Sequence, residues 1–169
     1  MRLRWPWTPR PLYIFDLDGT LALIDHRRHI LDSGASDRWQ RFYAACVKDL
    51  PNVPIIATLR ALRDSGAECW VWSGRSDEVV AETEQWLHDH GVFKDVPLLT
   101  LDEWPCENTF RMRRSDDYTP DDQLKRAWLH ALSERDRKRL VGVFDDRDKV
   151  VAMWRDNSVA CLQVAPGNF

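Results

Sequence analysis

Everything else in the chain has to accommodate Leu12-Tyr13-Ile14-Phe15-Asp16-Leu17-Asp18-Gly19-Thr20. Four apolar residues, aromatic and β-branched among them, read as a short buried strand. The strand runs into carboxylates at i and i+2, which point the same way on extended backbone. Held that close, two carboxylates repel and raise one another's pKa. A chain keeps such a pair where a cation lies between them, or where the two acids do different chemical work. Gly19 suits a tight turn or a positive φ. The plainer alternative is a strand that stops at a polar Asp-Gly turn. The choice rests on whether the rest of the chain supplies partners for the pair.

The chain alternates strands with helices. After the strand at 12–15, residues 21–37 are polar and irregular. A helix is expected from about Asp37 to Lys48 and a second after Pro51 and Pro54, with Ile55, Leu59 and Leu62 at helical spacing. Cys69 to Trp72 reads as a second strand, ending in Ser73-Gly74-Arg75. A helix follows from about Asp77 to His90, then a third strand from Val96 to Leu101 and a long polar loop over 102–118. Thr119-Pro120-Asp121-Asp122 signals a helix start with Pro at its first position and acids in its first turn. That helix carries Lys125. Leu140 to Phe144 is a fourth strand ending in Asp145-Asp146, and Val159 to Val164 a fifth. This alternation argues for an α/β fold whose mostly parallel sheet is covered by helices. The 169 residues suit one domain over 12–169, with a small helical cap inserted at about 21–52. Residues 1–11 precede it as a basic, aromatic and proline-rich arm. That arm either packs by its tryptophans or touches a nucleic acid strand.

Composition narrows the partners. A formal charge of -3 gives no global attraction to nucleic acid, so a polyanion must find a local basic patch. The four cysteines lack metal-site spacing and the apolar runs reach only strand length. A reduced, cytoplasmic protein without membrane association is expected. The nine tryptophans are expected in the core or lining a groove.

In a parallel α/β sheet, ligands bind beyond the carboxyl ends of the strands. Those ends hold Asp16 and Asp18, then Ser73, Gly74 and Arg75, then Asp145 and Asp146, with Lys125 able to approach from its helix. So many acids without a cation would be very unfavourable. A hard divalent ion, Mg²⁺, resolves the conflict. Ser73 and Gly74, before a helix N-terminus, suit an anion such as phosphate.

In this order the motifs resemble those of the haloacid dehalogenase superfamily of phosphohydrolases, with its Rossmann-like fold. Within it, Ser73-Gly74-Arg75, Met112-Arg113 upstream of Asp117 and Pro120-Asp121, and Asp145-Asp146-Arg147 resemble the phosphatase domain of phage-type polynucleotide kinase-phosphatases. The resemblance implies roles. Asp16 would be the nucleophile that forms an aspartyl-phosphate, and Asp18 the general acid and then base. Mg²⁺ would be held by Asp16, Asp145 and the backbone carbonyl of Asp18, with Asp146 orienting its waters. Ser73, Gly74 and Lys125 would bind the phosphoryl oxygens. Arg27, Arg75 and Arg113 would bind substrate, with His26 and Arg28 beside Arg27 as alternatives. Residues 102–110 look like extra length at the substrate mouth, and a kinase phosphate loop is absent from the sequence.

Three functions remain open on sequence. The first is a Mg²⁺-dependent phosphomonoesterase acting on a nucleic acid end or nucleotide, with a 3′-phosphate as substrate. The second is a small-molecule nucleotidase that ignores polymers. The third is a phosphate-binding module without turnover, against which both Asp16 and Asp18 argue.

Overall fold

A computed structural model describes residues 9–93 and 109–168. The first half runs β1 (Leu12–Phe15), β2 (Ala22–Leu23), α1 (Asp25–Asp32), α2 (Arg38–Ala44), β3 (Leu50–Pro51), α3 (Val53–Asp64), β4 (Glu68–Ser76) and α4 (Val80–Asp89). The second half runs β5 (Phe110–Arg113), α5 (Asp121–His130), α6 (Glu134–Arg139), β6 (Leu140–Asp145), α7 (Asp148–Asp156) and β7 (Cys161–Gln163). Five of the strands form one parallel sheet in the order β5-β4-β1-β6-β7. The strand with the Asp-x-Asp end is therefore its centre.

Side chains alternate across a strand, and both faces of this sheet are covered, so nearly every strand residue is apolar. Phe15, Val71 and Phe144 face one layer with Leu59 of α3 and Trp86 and Leu87 of α4. Leu12, Ile14, Trp70 and Trp72 face the other with Leu129 of α5 and Met153 and Trp154 of α7. The tryptophan count has its structural counterpart here. Trp72 lies 6.2 Å from Trp70, 5.8 Å from Trp128 and 6.0 Å from Trp154, centroid to centroid. Truncating a buried ring of this kind costs roughly 3–5 kcal/mol.

Residues 24–49 leave the sheet as an excursion closed at its base. There β2 and β3 pair antiparallel, Ala22 opposite Pro51 and Leu23 opposite Leu50. The Asn52 amide donates to Leu21 O at 2.8 Å, and its side chain donates to Thr20 O at 2.9 Å.

The structure corrects several expectations. The stretch read as irregular contains β2 and the two-turn helix α1. Its inward position is taken by Arg27, fully buried, so apolar periodicity could not reveal it. The expected loop over 102–118 contains β5, where Phe110 and Met112 turn inward between arginines. Helix α5 begins at Asp121, with Pro120 at the capping position and not inside the first turn. The expected strand at Val96 to Leu101, residues 102–108 of the extra segment and residues 1–8 of the arm lie outside the described residues.

Candidate active site

Strand register brings the first acids together. Phe15 stands opposite Phe144 in the β1–β6 pairing, and the Asp16 amide donates to Phe144 O at 2.9 Å. Asp16 and Asp145 thus leave the sheet side by side. Lys125, on the second turn of α5, bridges them: its Nζ donates to Asp16 Oδ1 at 2.6 Å and to Asp145 Oδ2 at 2.8 Å. All three side chains are buried. Asp16, Asp145 and Asp146 each place a carboxylate oxygen within 4.8 Å of the others. Asp146 Oδ2 is buried and lacks a hydrogen-bond partner.

Beyond Asp16 the backbone curls tightly. Leu17 O accepts from the amides of Thr20, Leu21 and Ala22 at 3.2, 3.0 and 2.8 Å. Gly19 has a φ of 89°, and a Cβ there would stand 2.1 Å from Asp146 Oδ2. Glycine is required twice over, by conformation and by contact.

The electrostatics show why a cation fits. Burial pushes the Asp16 carboxyl well above its usual range; Lys125 opposes the shift, while Asp145 and Asp146 add to it. Burial and the Asp145 charge push Asp146 up to about 7. Burial alone would lower the Lys125 pKa, but Asp145 and Asp16 outweigh it and hold the ammonium charged. One ammonium serves three crowded carboxylates. An all-oxygen set with one unpartnered oxygen is the donor chemistry that a hard divalent ion takes.

Asp18 points elsewhere. Its Oδ1 accepts from Arg27 Nη2 at 2.8 Å and from Arg75 Nε at 3.1 Å, with Arg75 Nη2 on the same oxygen. Burial would raise its pKa, but Arg75 and Arg27 overcome this and hold it below the usual range. Behind them sits Asp49, at the end of the short 3₁₀ turn Ala45–Lys48. It accepts from Arg27 Nε and Nη2 at 2.7 Å each and from Arg75 Nη2 at 2.8 Å. Thr83 Oγ1 lies 3.1 Å from Arg75 Nη1. Arg27 and Arg75 are therefore buried braces between two aspartates.

Arg113 is also a brace. Its Nε donates to Gly74 O at 2.8 Å, its Nη1 to Asp117 O at 3.1 Å and to Thr119 O, and its Nη2 to Asp121. Arg147 holds the other oxygen of Asp121. A Cβ on Gly74 would stand 2.4 Å from Asp121 Oδ1, so β4 and α5 meet there too closely for a side chain. Ser73 is fully buried, with its Oγ accepting from the Arg75 amide at 3.1 Å. A cleft of about 800 Å³ opens above these groups, lined by Asp16, Asp18, Gly74, Arg113, Lys125, Asp145 and Asp146.

Asp16, Asp18, Lys125, Asp145 and Asp146 thus converge, with Gly74 and Arg113 on the rim. Ser73 lies beneath. Sequence reasoning did not assign Asp49, Asp121, Thr83 or Arg147. Asp49 stands in a polar turn without periodicity, and Asp121 passes for a first-turn acid at a helix start. Only Arg147, adjoining the Asp145-Asp146 pair, carried a local signal.

A central parallel strand ending in Asp-x-Asp, faced by a strand-end Asp-Asp pair and a bridging helix lysine, defines a phosphatase of the haloacid dehalogenase type. The family model described as "Polynucleotide kinase PNKP phosphatase domain" matches residues 10–169, and the chain belongs to that family. Two solved structures are similar over 96% of this chain. One, titled "Structure of the Pnkp1/Rnl/Hen1 RNA repair complex", has a TM-score of 0.70 and 26% identity. The other, titled "Structure of Pnkp1/Rnl/Hen1 complex", has a TM-score of 0.70 and 27% identity. This chain spans 45% and 48% of the length of those two chains. No helix among the described residues is long and apolar enough to cross a membrane.

Proposed function

We propose that the protein is a Mg²⁺-dependent phosphomonoesterase that removes the 3′-phosphate from a nucleic acid end. The observation that carries this reading is the buried bridge Asp16–Lys125–Asp145 beside the unpartnered oxygen of Asp146. Asp16 is the nucleophile: its carboxylate attacks phosphorus, the ester P–O bond breaks, and an aspartyl-phosphate forms on Asp16. Asp18 gives its proton to the leaving 3′ oxygen, then takes one from the water that hydrolyses the acyl phosphate. Arg27 and Arg75 hold Asp18 in place for this. Lys125 keeps Asp16 ionised and, with Gly74 and Ser73, receives the phosphoryl oxygens. Asp16, Asp145, the backbone carbonyl of Asp18 and Asp146 would hold the Mg²⁺. When bound, that ion neutralises charge on the transferring phosphoryl group.

The titles of the two similar structures favour a nucleic acid end, RNA in particular, as substrate. The formal charge of -3 favours the second reading, a nucleotidase indifferent to polymers. A phosphate-release screen with Mg²⁺, over 3′- and 5′-mononucleotides and oligonucleotides phosphorylated at either end, tests both. The proposal expects 3′-phosphorylated strands to be the best substrates, with a KM that rises steeply with salt. Equal turnover of mononucleotides with a salt-independent KM would replace it with the second reading.

A further inference from the structure

The cleft has a wall that the phosphate chemistry does not use. Trp39 of α2 lines it and is 47% exposed. Its ring lies 6.0 Å from Phe42 and 5.9 Å from Tyr43, centroid to centroid. Phe42 in turn lies under the Arg27 guanidinium at 4.1 Å, and Arg27 holds Asp18. A continuous row of contacts thus fixes the Trp39 ring relative to the reacting centre. Across the cleft stands Tyr118, 90% exposed. Its loop is anchored on both sides, because Arg113 Nη1 takes the carbonyls of Asp117 and Thr119. The Thr119 amide also donates to Asp117 Oδ1 at 2.8 Å.

A large ring held out into water by an anchored loop, facing a second half-exposed ring, suits a flat partner. Every nucleobase has a π-face, and exposed aromatic platforms beside a basic groove take bases without regard to sequence. Lys149, exposed on the first turn of α7, lines the same cleft and supplies positive charge for the strand. We infer that Trp39 and Tyr118 form a nucleobase subsite that grips the terminal base of the strand whose phosphate enters at Asp16. The inference rests on the proposed function above and adds the group that recognises the leaving nucleoside.

The test compares three substrates with Mg²⁺: a 3′-phosphorylated oligonucleotide, the same strand with an abasic terminal residue, and glycerol phosphate. Trp39→Ala and Tyr118→Ala should each raise KM for the base-bearing strand about tenfold or more, the effect expected for loss of one stacking partner, with kcat retained. KM for the abasic strand and the rate on glycerol phosphate should not move, which also shows that both variants fold. Unchanged KM for the base-bearing strand, or equal losses on the base-bearing and abasic strands, overturns the subsite and leaves the phosphatase reading standing. Wild-type protein that hydrolyses glycerol phosphate but no phosphorylated strand overturns both.

Discussion

Arg27 reaches Asp49 through two hydrogen bonds of 2.7 Å, both residues fully enclosed between the excursion and the sheet. The pair ties residues 24–49 to the site, because the same guanidinium holds Asp18. Removing one member of a buried ion pair leaves the other charge unsatisfied, at a cost of roughly 3–5 kcal/mol. Asp49→Asn also turns an amide N–H toward arginine donors. We expect it to lower the urea midpoint by a corresponding amount and to lower kcat, since Asp18 loses its frame. An unchanged midpoint would show that Arg27 does not depend on Asp49.

Lys125 contributes differently, because it answers two acids at once. Lys125→Met keeps the length and removes the charge. Activity should fall roughly 10²–10³-fold, as for loss of one preorganised charge at a transition state. The variant should also be destabilised by repulsion between Asp16 and Asp145. Adding Asp16→Asn removes one of the repelling charges. A double-mutant cycle in urea should therefore find the double variant less destabilised than the sum of the singles. Simple additivity would mean that the bridge carries little coupling.

Gly19 and Asp146 make a sharper steric test. An alanine methyl at position 19 would stand 2.1 Å from Asp146 Oδ2, on backbone with φ 89°. Gly19→Ala should displace the Asp146 carboxylate and raise the Mg²⁺ concentration needed for half-maximal activity. A titration indistinguishable from wild type would remove Asp146 from the ion's surroundings.

Acid stability can be examined away from the site. Burial alone would raise the Glu68 pKa, but hydrogen bonds from Arg139 and Trp70 outweigh it and lower the folded-state value below 4.5. A depressed carboxylate stabilises the fold at pH above its unfolded pKa, and that contribution disappears as pH falls through the folded value. The stability difference between wild type and Glu68→Gln should be constant near neutrality and should shrink below about pH 4.5. A difference that grows on acidification would contradict the sign of the shift.

The parts of the site that could be read from sequence share one property: each stands at the end of an apolar run. Asp16, Asp18, Ser73, Gly74, Asp145 and Asp146 all follow strands whose hydrophobic residues announce them, and parallel pairing then brings those ends together. Lys125 was legible through the strong helix start before it. The frame of the site was not. Arg27 occupies an inward helical position that a hydrophobic pattern reserves for Leu or Ile, so α1 passed for a loop. Asp49 has meaning only through Arg27 and Arg75, which are 22 and 26 residues away. Its role follows from tertiary packing and from no local pattern. The arginines of β5 likewise masked the alternation of Phe110 and Met112.

The central claim is that Asp16 attacks phosphorus at a divalent-ion site. The most direct measurement is phosphate release from a 3′-phosphorylated oligonucleotide with Mg²⁺, comparing wild type with Asp16→Asn and each with and without EDTA. The account expects wild-type turnover that EDTA abolishes, and none from Asp16→Asn under either condition. A near-normal rate in Asp16→Asn, or wild-type turnover undiminished by EDTA, would contradict it.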